Sequence, residues 1–394
     1  MLPRSETTST GWAAVFRALI LRPIVSAGPM LLLAGVLVGP AGLSLLSTEL
    51  LDDIAPLLVF ALGWLGFLLG FQLPLKVVFL IPGRSWLAGG GQALATTLVT
   101  GAFLTVVAAA GWLVHLNEET AIGIALCAGV SSPVALSILR RDSDNPRSMM
   151  WLELMASIDN VAIILFTMVV MGLYHTVGAD AAVAEQLSWV VAPVGLGLIV
   201  GLIIESFFRS QASKDELLLL GLGSITFAAG IAAYLQLSPL VVCFFAGMLV
   251  RNVPNHRIRL LEEVLYQLER PMYFLLLFIL GIAAPAAPGA GLVTVAIVVA
   301  VVRAAMKILG GEVIRRSVAG ADSRKGTRWS AGVGLLMQGG LAAALAVDAA
   351  LRLPPEQGQV LVFVVVTCVL LSDLVALPLV GWSQSTGALT RRTP

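Results

Sequence analysis

Long apolar runs separated by short polar stretches occupy the chain from residue 27 onward. An apolar run of about 20 residues has the length of an α-helix that crosses a bilayer. This pattern predicts an all-α polytopic membrane protein with about twelve transmembrane helices. The spans are approximately 27–47, 54–73, 86–114, 119–139, 149–174, 187–207, 216–235, 238–251, 271–285, 288–311, 329–350 and 358–382. The run at 238–251 is short, so the seventh and eighth spans allow another partition.

Basic residues concentrate in every second loop between these spans. Arg84 precedes the third span, Arg140 and Arg141 follow the fourth, and Arg257 follows the eighth. The intervening loops, such as "NEET" and "RLPPEQG", are mainly acidic or neutral. Because cytoplasmic loops carry an excess of lysine and arginine, the alternation predicts an even number of spans. It also predicts a multi-pass protein of the inner (plasma) membrane with both termini in the cytoplasm.

The composition and the missing motifs disfavour several classes of protein function. Hydrophobic residues make up 58% of the 394 residues and charged residues 12%, against about 25% charged residues in an average soluble domain. The sequence has no phosphate-binding loop, no metal-cluster spacing and no evident nucleophile–base pair. We therefore expect a protein that is no enzyme, carries no cofactor, uses no ATP and binds no nucleic acid. We expect residues 1–26 to form a cytoplasmic or interfacial segment, 27–383 the transmembrane domain, and 384–394 a cytoplasmic tail.

Two groups of five spans share a weak internal symmetry. The fourth span of the first group contains "GVSSPVAL" and its fifth contains Asp159. The corresponding spans of the second group contain "MQGGLAAA" and Asp373. Since the groups begin on opposite sides of the membrane, they predict two inverted five-helix repeats, an arrangement typical of secondary transporters.

The segment "MASIDNVAIILF" places Asp159 and Asn160 within the fifth span. Asp159 lies roughly 15 Å from the cytoplasmic end of its helix, near the middle of the bilayer. An ionisable group at this depth is costly and indicates function, although a structural carboxylate is the alternative. Carboxylate oxygens bind either a proton or a monovalent cation such as Na⁺ or Li⁺. Asn160 offers a carbonyl ligand or a group that orients Asp159.

The tenth span, "VVRAAMKILGGEV", carries Arg303 and Lys307 on one helix face. Either cation could neutralise Asp159 when no metal ion is bound. An arginine stays protonated, so only Lys307 could release a proton. The alternative for Lys307 is that its side chain extends to the interface. Asp373 lies deep in the last span and is a secondary candidate for the ion-binding site or a partner of Arg303. Asp348 and Glu153 are expected at the membrane interfaces.

Two spans carry signals for a broken helix. Pro133 removes a helix hydrogen bond, and Ser131 and Ser132 add hydroxyl groups beside the freed carbonyls. In the eleventh span, Gly339 and Gly340 allow the helix to unwind and Gln338 could stabilise the break. The alternatives are an ordinary proline kink and glycines that permit close helix packing.

Several of these segments together resemble the monovalent cation–proton antiporter superfamily, in particular its bacterial sodium/proton and potassium/proton exchangers. The similar segments, in chain order, are "LLAGVLVGPAGLSLL", "LLVFALGWLGFLLGFQLPL", "SSPVAL", "LSPLVVCFFAGMLVRN", "MKILGG" and "GVGLLMQGGLAAA". The resemblance implies a core domain, formed by helices at about 86–174 and 288–382 with two broken crossing helices. It also implies a dimerisation domain (panel) formed by the remaining helices, elevator-like movement of the core, and a homodimer.

The chain departs from this family at two positions. Ion-binding members usually carry Asp-Asp or Asn-Asp in the fifth core helix, and the second residue is normally the carrier. Here the order is Asp159-Asn160, and Gln338-Gly339-Gly340 replaces the Arg-Gly-Glu of many members. We therefore expect Asp159 to be the carboxylate shared by a proton and Na⁺, Li⁺ or K⁺. The alternatives are a proton-coupled transporter of an organic anion and a membrane sensor that transports nothing.

Overall fold

The computed structural model describes residues 27–46, 53–111, 116–133, 136, 146–175, 183–208, 214–254, 258–286, 289–317 and 330–390. All regular secondary structure within these ranges is α-helical, as the sequence predicts. The proposed N-terminal segment 1–26 lies outside the described residues. The helices are α1 Ala27–Val38, α2 Ala55–Phe71, α3 Leu75–Val78, α4 Gly83–Ala109, α5 Glu118–Gly129, α6 Pro146–His175, α7 Val183–Phe208, α8 Lys214–Tyr234, α9 Pro239–Asn252, α10 Ile258–Ile282, α11 Ala290–Ser317, α12 Ser330–Gly334, α13 Gly340–Ala350 and α14 Pro355–Thr390.

These helices overlap every predicted span. By length and composition, six described helices can cross a membrane, and five shorter apolar helices accompany them. The short eighth span is a separate helix, α9, which is divided from α8 by a turn at Gln236 with a positive φ of 58°. The predicted start of the ninth span at 271 is wrong, because α10 begins at Ile258. Its first turns carry several charged residues that resemble a loop in sequence.

The packing follows the inverted repeat. Helix α1 packs along α10 in the way that α9 packs along α2, and α4 contacts α6 as α11 contacts α14. Helices α4 and α11 also pack against each other, as do α5 and α13. In the two repeats, α1 corresponds to α9, α2 to α10, α4 to α11, α5 to α13, and α6 to α14. Exchanging the repeats therefore turns each of these contacts into another contact of the set or leaves it unchanged. The symmetry inferred from two weak motifs is therefore present in the helix contacts.

Hydrogen bonds between helix termini identify the two ends of the bundle. The Thr120 hydroxyl donates to Gln357 Oε1 at 2.8 Å, so α5 and α14 begin at the same end, which we call the Asn117 end. At the opposite end, the Leu75 N–H donates to Asn252 Oδ1 at 2.7 Å, just beyond α2 and at the last residue of α9. We call this the Asn252 end.

Candidate ion-binding site

Two helices break and cross near the centre of the bundle. Helix α5 ends at Gly129 and helical backbone resumes at Pro133, while α12 ends at Gly334 and α13 begins at Gly340. The Ser132 N–H donates to the Met337 carbonyl at 2.8 Å, which joins the two non-helical segments. Proline has no N–H to continue a helix, so the break falls where the sequence predicts it.

Glycines 339 and 340 let the crossing form. A Cβ at Gly339 would lie 2.8 Å from Ser132 Cβ, and a Cβ at Gly340 would collide with the Tyr273 ring of α10. Both segments and the tyrosine therefore meet only because these two positions lack a side chain. Unwinding and close packing, which the sequence presents as alternatives, occur together here.

Arg303 of α11 holds the broken ends together. Its side chain is fully buried and donates to the carbonyls of Ala128 and Val130 in the first break and of Leu336 in the second, at 2.7–3.0 Å. The last carbonyls of a helix lack partners and carry partial negative charge, so a guanidinium there is favourable. Arg303 also donates to Ser372 Oγ at 3.0 Å.

Asp373 has a different partner from the one suggested by sequence. Its Oδ1 accepts from the Gln338 N–H at 3.2 Å, next to the start of α13. Arg303 instead bonds the adjacent Ser372, and no Arg303–Asp373 ion pair occurs among the described contacts. Asp373 therefore supports the second break rather than neutralising the arginine directly.

Lys307 and Asp159 form a buried ion pair. Lys307 Nζ lies 2.9 Å from Asp159 Oδ2, and both side chains have 0% exposure. The same ammonium donates to the Gly129 carbonyl at 2.6 Å and to Gln92 Oε1 at 3.3 Å. These contacts rule out the interfacial alternative for Lys307 and place it, rather than Arg303, against Asp159. The Ser131 hydroxyl lies 2.9 Å from Asp159 Oδ2 and donates to it or to the Leu335 carbonyl.

Three buried oxygens of residues at the crossing or next to it accept no hydrogen bond from any described residue. They are Asp159 Oδ1, Asn160 Oδ1 and Gln338 Oε1. The Gln338 amide is fixed by donating to the Cys127 carbonyl at 2.6 Å. Buried polar atoms are nearly always partnered, so unpartnered oxygens mark a place for a ligand. Oxygen atoms suit hard cations, and the residues at the crossing therefore fit a monovalent metal ion as cargo.

A cavity of about 420 Å³ leads to the crossing from the Asn252 end. Ser131, Ser132, Pro133 and Asn160 line it, together with Gly339 and Gly340. Asp159 is not among the lining residues, although Asn160, the next residue on the helix, is. Successive helix positions differ by about 100°, so the amide faces the cavity and the carboxylate lies behind it.

The opposite end is closed by side-chain contacts. Asp348, expected at an interface, is instead 2% exposed and pairs with Arg352 one turn later on the chain. Ser238, which caps α9, donates to the same carboxylate at 2.9 Å. A small cavity of about 170 Å³ remains near Ser238 and Arg352. Among the described residues, a cavity therefore leads to the crossing only from the Asn252 end.

Sequence reasoning missed three residues near the site: Gln92, Tyr273 and Glu269. Gln92 begins a polar row on α4 with Thr96 and Thr100, at helical spacing, which could have identified its face. Glu269 was missed because the first turns of α10 resemble a charged loop in sequence, whereas Tyr273 lies inside the predicted span 271–285 and no sequence feature singled it out. Glu153, expected at an interface, lines the cavity.

Comparisons with known proteins agree with this arrangement. The profile of the family described as "Sodium/hydrogen exchanger, transmembrane" matches residues 7–381. Among solved structures, the chain is similar to the sodium proton antiporter MjNhaP1 from Methanocaldococcus jannaschii at pH 8, with a TM-score of 0.65 and 17% sequence identity. The match covers 93% of this chain and 98% of that one, and at this identity it shows a common fold. No curated protein sequence matches the chain.

Proposed function

Since the chain belongs to the sodium/hydrogen exchanger family, we propose that it exchanges a monovalent cation, Na⁺, Li⁺ or K⁺, for protons, with Asp159 as the carboxylate for which the metal ion and the protonated Lys307 compete. The observation that carries this proposal is the buried Asp159–Lys307 ion pair beside unpartnered oxygens, at the closed end of a cavity. In this proposal the ammonium of Lys307 and the metal ion compete for the same carboxylate oxygen of Asp159.

The exchange step conserves charge. In the cation-free state, the carboxylate of Asp159 is balanced by the protonated Lys307. When a metal ion binds Asp159, it displaces the ammonium, and Lys307 releases one proton to the cavity. Carboxylate plus ammonium and carboxylate plus metal ion with a neutral lysine both carry no net charge. One cation for one proton is therefore electroneutral, and Arg303 cannot replace Lys307 because a guanidinium keeps its proton.

The neighbouring residues have distinct roles in this proposal. Asn160 Oδ1 and Gln338 Oε1 are neutral ligands that need no proton to leave when the ion binds. Ser131 holds the carboxylate through Oδ2, and Ser132, Pro133, Gly339 and Gly340 shape the crossing. The cation and the exchangeable proton are thus held behind Asn160, at Asp159 and Lys307, rather than at the residue that lines the cavity.

The charges favour a metal cation over an organic anion. Arg303 donates four hydrogen bonds to protein acceptors, so it has little capacity left for a substrate. No basic residue occurs among the described residues that line the cavity. A carboxylate-bearing solute would meet the carboxylates of Glu153 and Glu269 there.

Alternating access is the mode of transport that we propose, and the difference between the two ends of the bundle supports it. We place the core in the helices at about 86–174 and 288–382 and the panel in the rest, with the core moving against the panel. We assign the Asn252 end to the cytoplasm, because Lys76, Arg84 and Arg251 lie in its loops or helix ends. The state described is then open to the cytoplasm, in a multi-pass plasma-membrane protein that assembles as a homodimer through its panel.

The test is exchange in proteoliposomes that contain a pH-sensitive dye. Adding Na⁺, Li⁺ or K⁺ outside proton-loaded vesicles is expected to alkalinise the lumen, without a change when the membrane potential is clamped. Asp159→Asn is expected to abolish the signal. Ser206→Ala, on an exposed face of α7, is the matched control and is expected to retain it. Unchanged exchange in Asp159→Asn would remove this residue from the mechanism.

A further inference from the structure

The cavity carries two carboxylates that the exchange step does not use. Glu153 and Glu269 both line it, the first from α6 and the second from α10. On α6, Glu153, Ser157 and Asn160 lie at helical spacing and all line the cavity. The two carboxylates therefore line one passage from different helices, and this passage ends at the crossing.

Glu269 takes part in no ion pair among the described contacts, although Arg270 follows it on the helix. Three other acids do form ion pairs: Asp159 with Lys307, Asp348 with Arg352, and Glu262 with Arg251. Glu269 accepts only a hydrogen bond from the Gln72 amide, at 3.4 Å. A carboxylate that faces a cavity and is not held in an ion pair attracts a mobile cation from solution.

Asn160 provides an independent sign that the passage holds a ligand. Its side chain is 3% exposed, lines the cavity, and leaves Oδ1 without a described hydrogen-bond partner. The volume of about 420 Å³ has room for about ten water molecules, so a cation can reach this oxygen while it keeps part of its hydration shell.

We propose that Glu269 and Glu153 form a second binding site for the alkali cation, the mouth site, where a partly hydrated ion is held before it passes Ser157 and Asn160 to reach Asp159. This inference rests on the proposed function for the route of the ion toward Asp159. Binding of the ion by Glu269 and Glu153 does not depend on that function. The mouth site has ligands on both α6 and α10. Movement of the core against the panel would separate them, so the site exists only when the cavity is open.

Binding of radioactive sodium or rubidium to the purified full chain tests the mouth site directly, with choline chloride as the ionic background. The variant Asp159→Asn/Lys307→Gln removes the deep site without leaving an unbalanced charge. It is expected to retain saturable binding of one ion, which the further change Glu269→Gln weakens by about tenfold. The control is Glu263→Gln, an exposed carboxylate on the same helix that does not line the cavity, and it is expected to leave binding unchanged.

The transport assay supplies the second measurement. In an otherwise unchanged chain, Glu269→Gln is expected to raise the apparent KM for the cation several-fold at low ionic strength while the maximal rate stays within about twofold. If Glu269→Gln matches Glu263→Gln in both assays while Asp159→Asn still abolishes exchange, the mouth site is refuted and the proposed function stands. If the double variant binds an ion through Glu269 but the unchanged chain exchanges none, the proposed function fails and the mouth site stands.

Discussion

At the scale of single residues, the buried Lys307 ammonium and Asp159 carboxylate depend on each other. Removing one partner of a buried ion pair leaves an uncompensated charge and typically costs about 3–5 kcal/mol. Lys307→Ala is therefore expected to lower the melting temperature in detergent strongly, whereas Lys307→Gln/Asp159→Asn is expected to recover most of the loss. Thermal unfolding by intrinsic fluorescence measures this. A double variant that is as unstable as the sum of its single changes would show that the pair is not coupled.

Residue identity allowed part of this site to be predicted. A lone aspartate in an apolar run is costly enough to indicate function. A lysine at a similar depth in another span is the residue expected to form an ion pair with it. The sequence could not choose between Arg303 and Lys307, because both lie on one helix face. The choice depends on which carbonyls the broken helices release, and Arg303 is occupied by those of Ala128, Val130 and Leu336.

At the scale of elements, the crossing depends on a close approach between α13 and α10. Gly340→Ala would push a methyl group into the Tyr273 ring, so the break or α10 must shift. We expect this variant to melt at a lower temperature and to lose at least about tenfold in exchange rate, as overpacking commonly costs 1–3 kcal/mol. Gly195→Ala on α7 meets open space and is expected to be neutral or slightly stabilising. Equal effects of the two variants would contradict the role of Gly340.

The apolar pattern of the sequence predicted which helices exist better than it predicted where each helix begins and ends. The breaks at Pro133 and at Gly339-Gly340 could be read from residues that end helices, and both occur. The start of α10 could not, because Glu262, Glu263, Glu269 and Arg270 give its first turns the composition of a loop. Their charges are tolerated since they face Arg251, the cavity or the surface, which is information about packing rather than about local sequence.

At the scale of the whole molecule, Ser238 and Asp348 join α9 to α13 at the closed end. In the proposed division these helices belong to panel and core, so the contact must break before the ion can leave there. Ser238→Ala removes the hydrogen bond to Asp348 together with the N-cap of α9, and the loss of the first is expected to shift the population toward the outward-open state by about tenfold. Ser206→Ala, an exposed serine whose hydroxyl bonds only its own helix, is the control.

Cysteine labelling measures that shift in a chain whose three native cysteines have been replaced. Ser157→Cys reports on the cavity at the Asn252 end, and Ile122→Cys reports on the small pocket at the Asn117 end. With Ser238→Ala, labelling is expected to fall at position 157 and to rise at position 122. Labelling that is unchanged at both positions would show that the contact does not hold the closed end.

The central claim is that the Asp159–Lys307 pair gives up one proton for each cation it binds. Proton release from the purified protein in a weakly buffered solution measures this directly when Na⁺, Li⁺ or K⁺ is added. The account predicts release approaching about one proton per chain at saturation, and no release from Asp159→Asn or from Lys307→Arg, which keeps the charge but not the exchangeable proton. Undiminished release from either variant would contradict it.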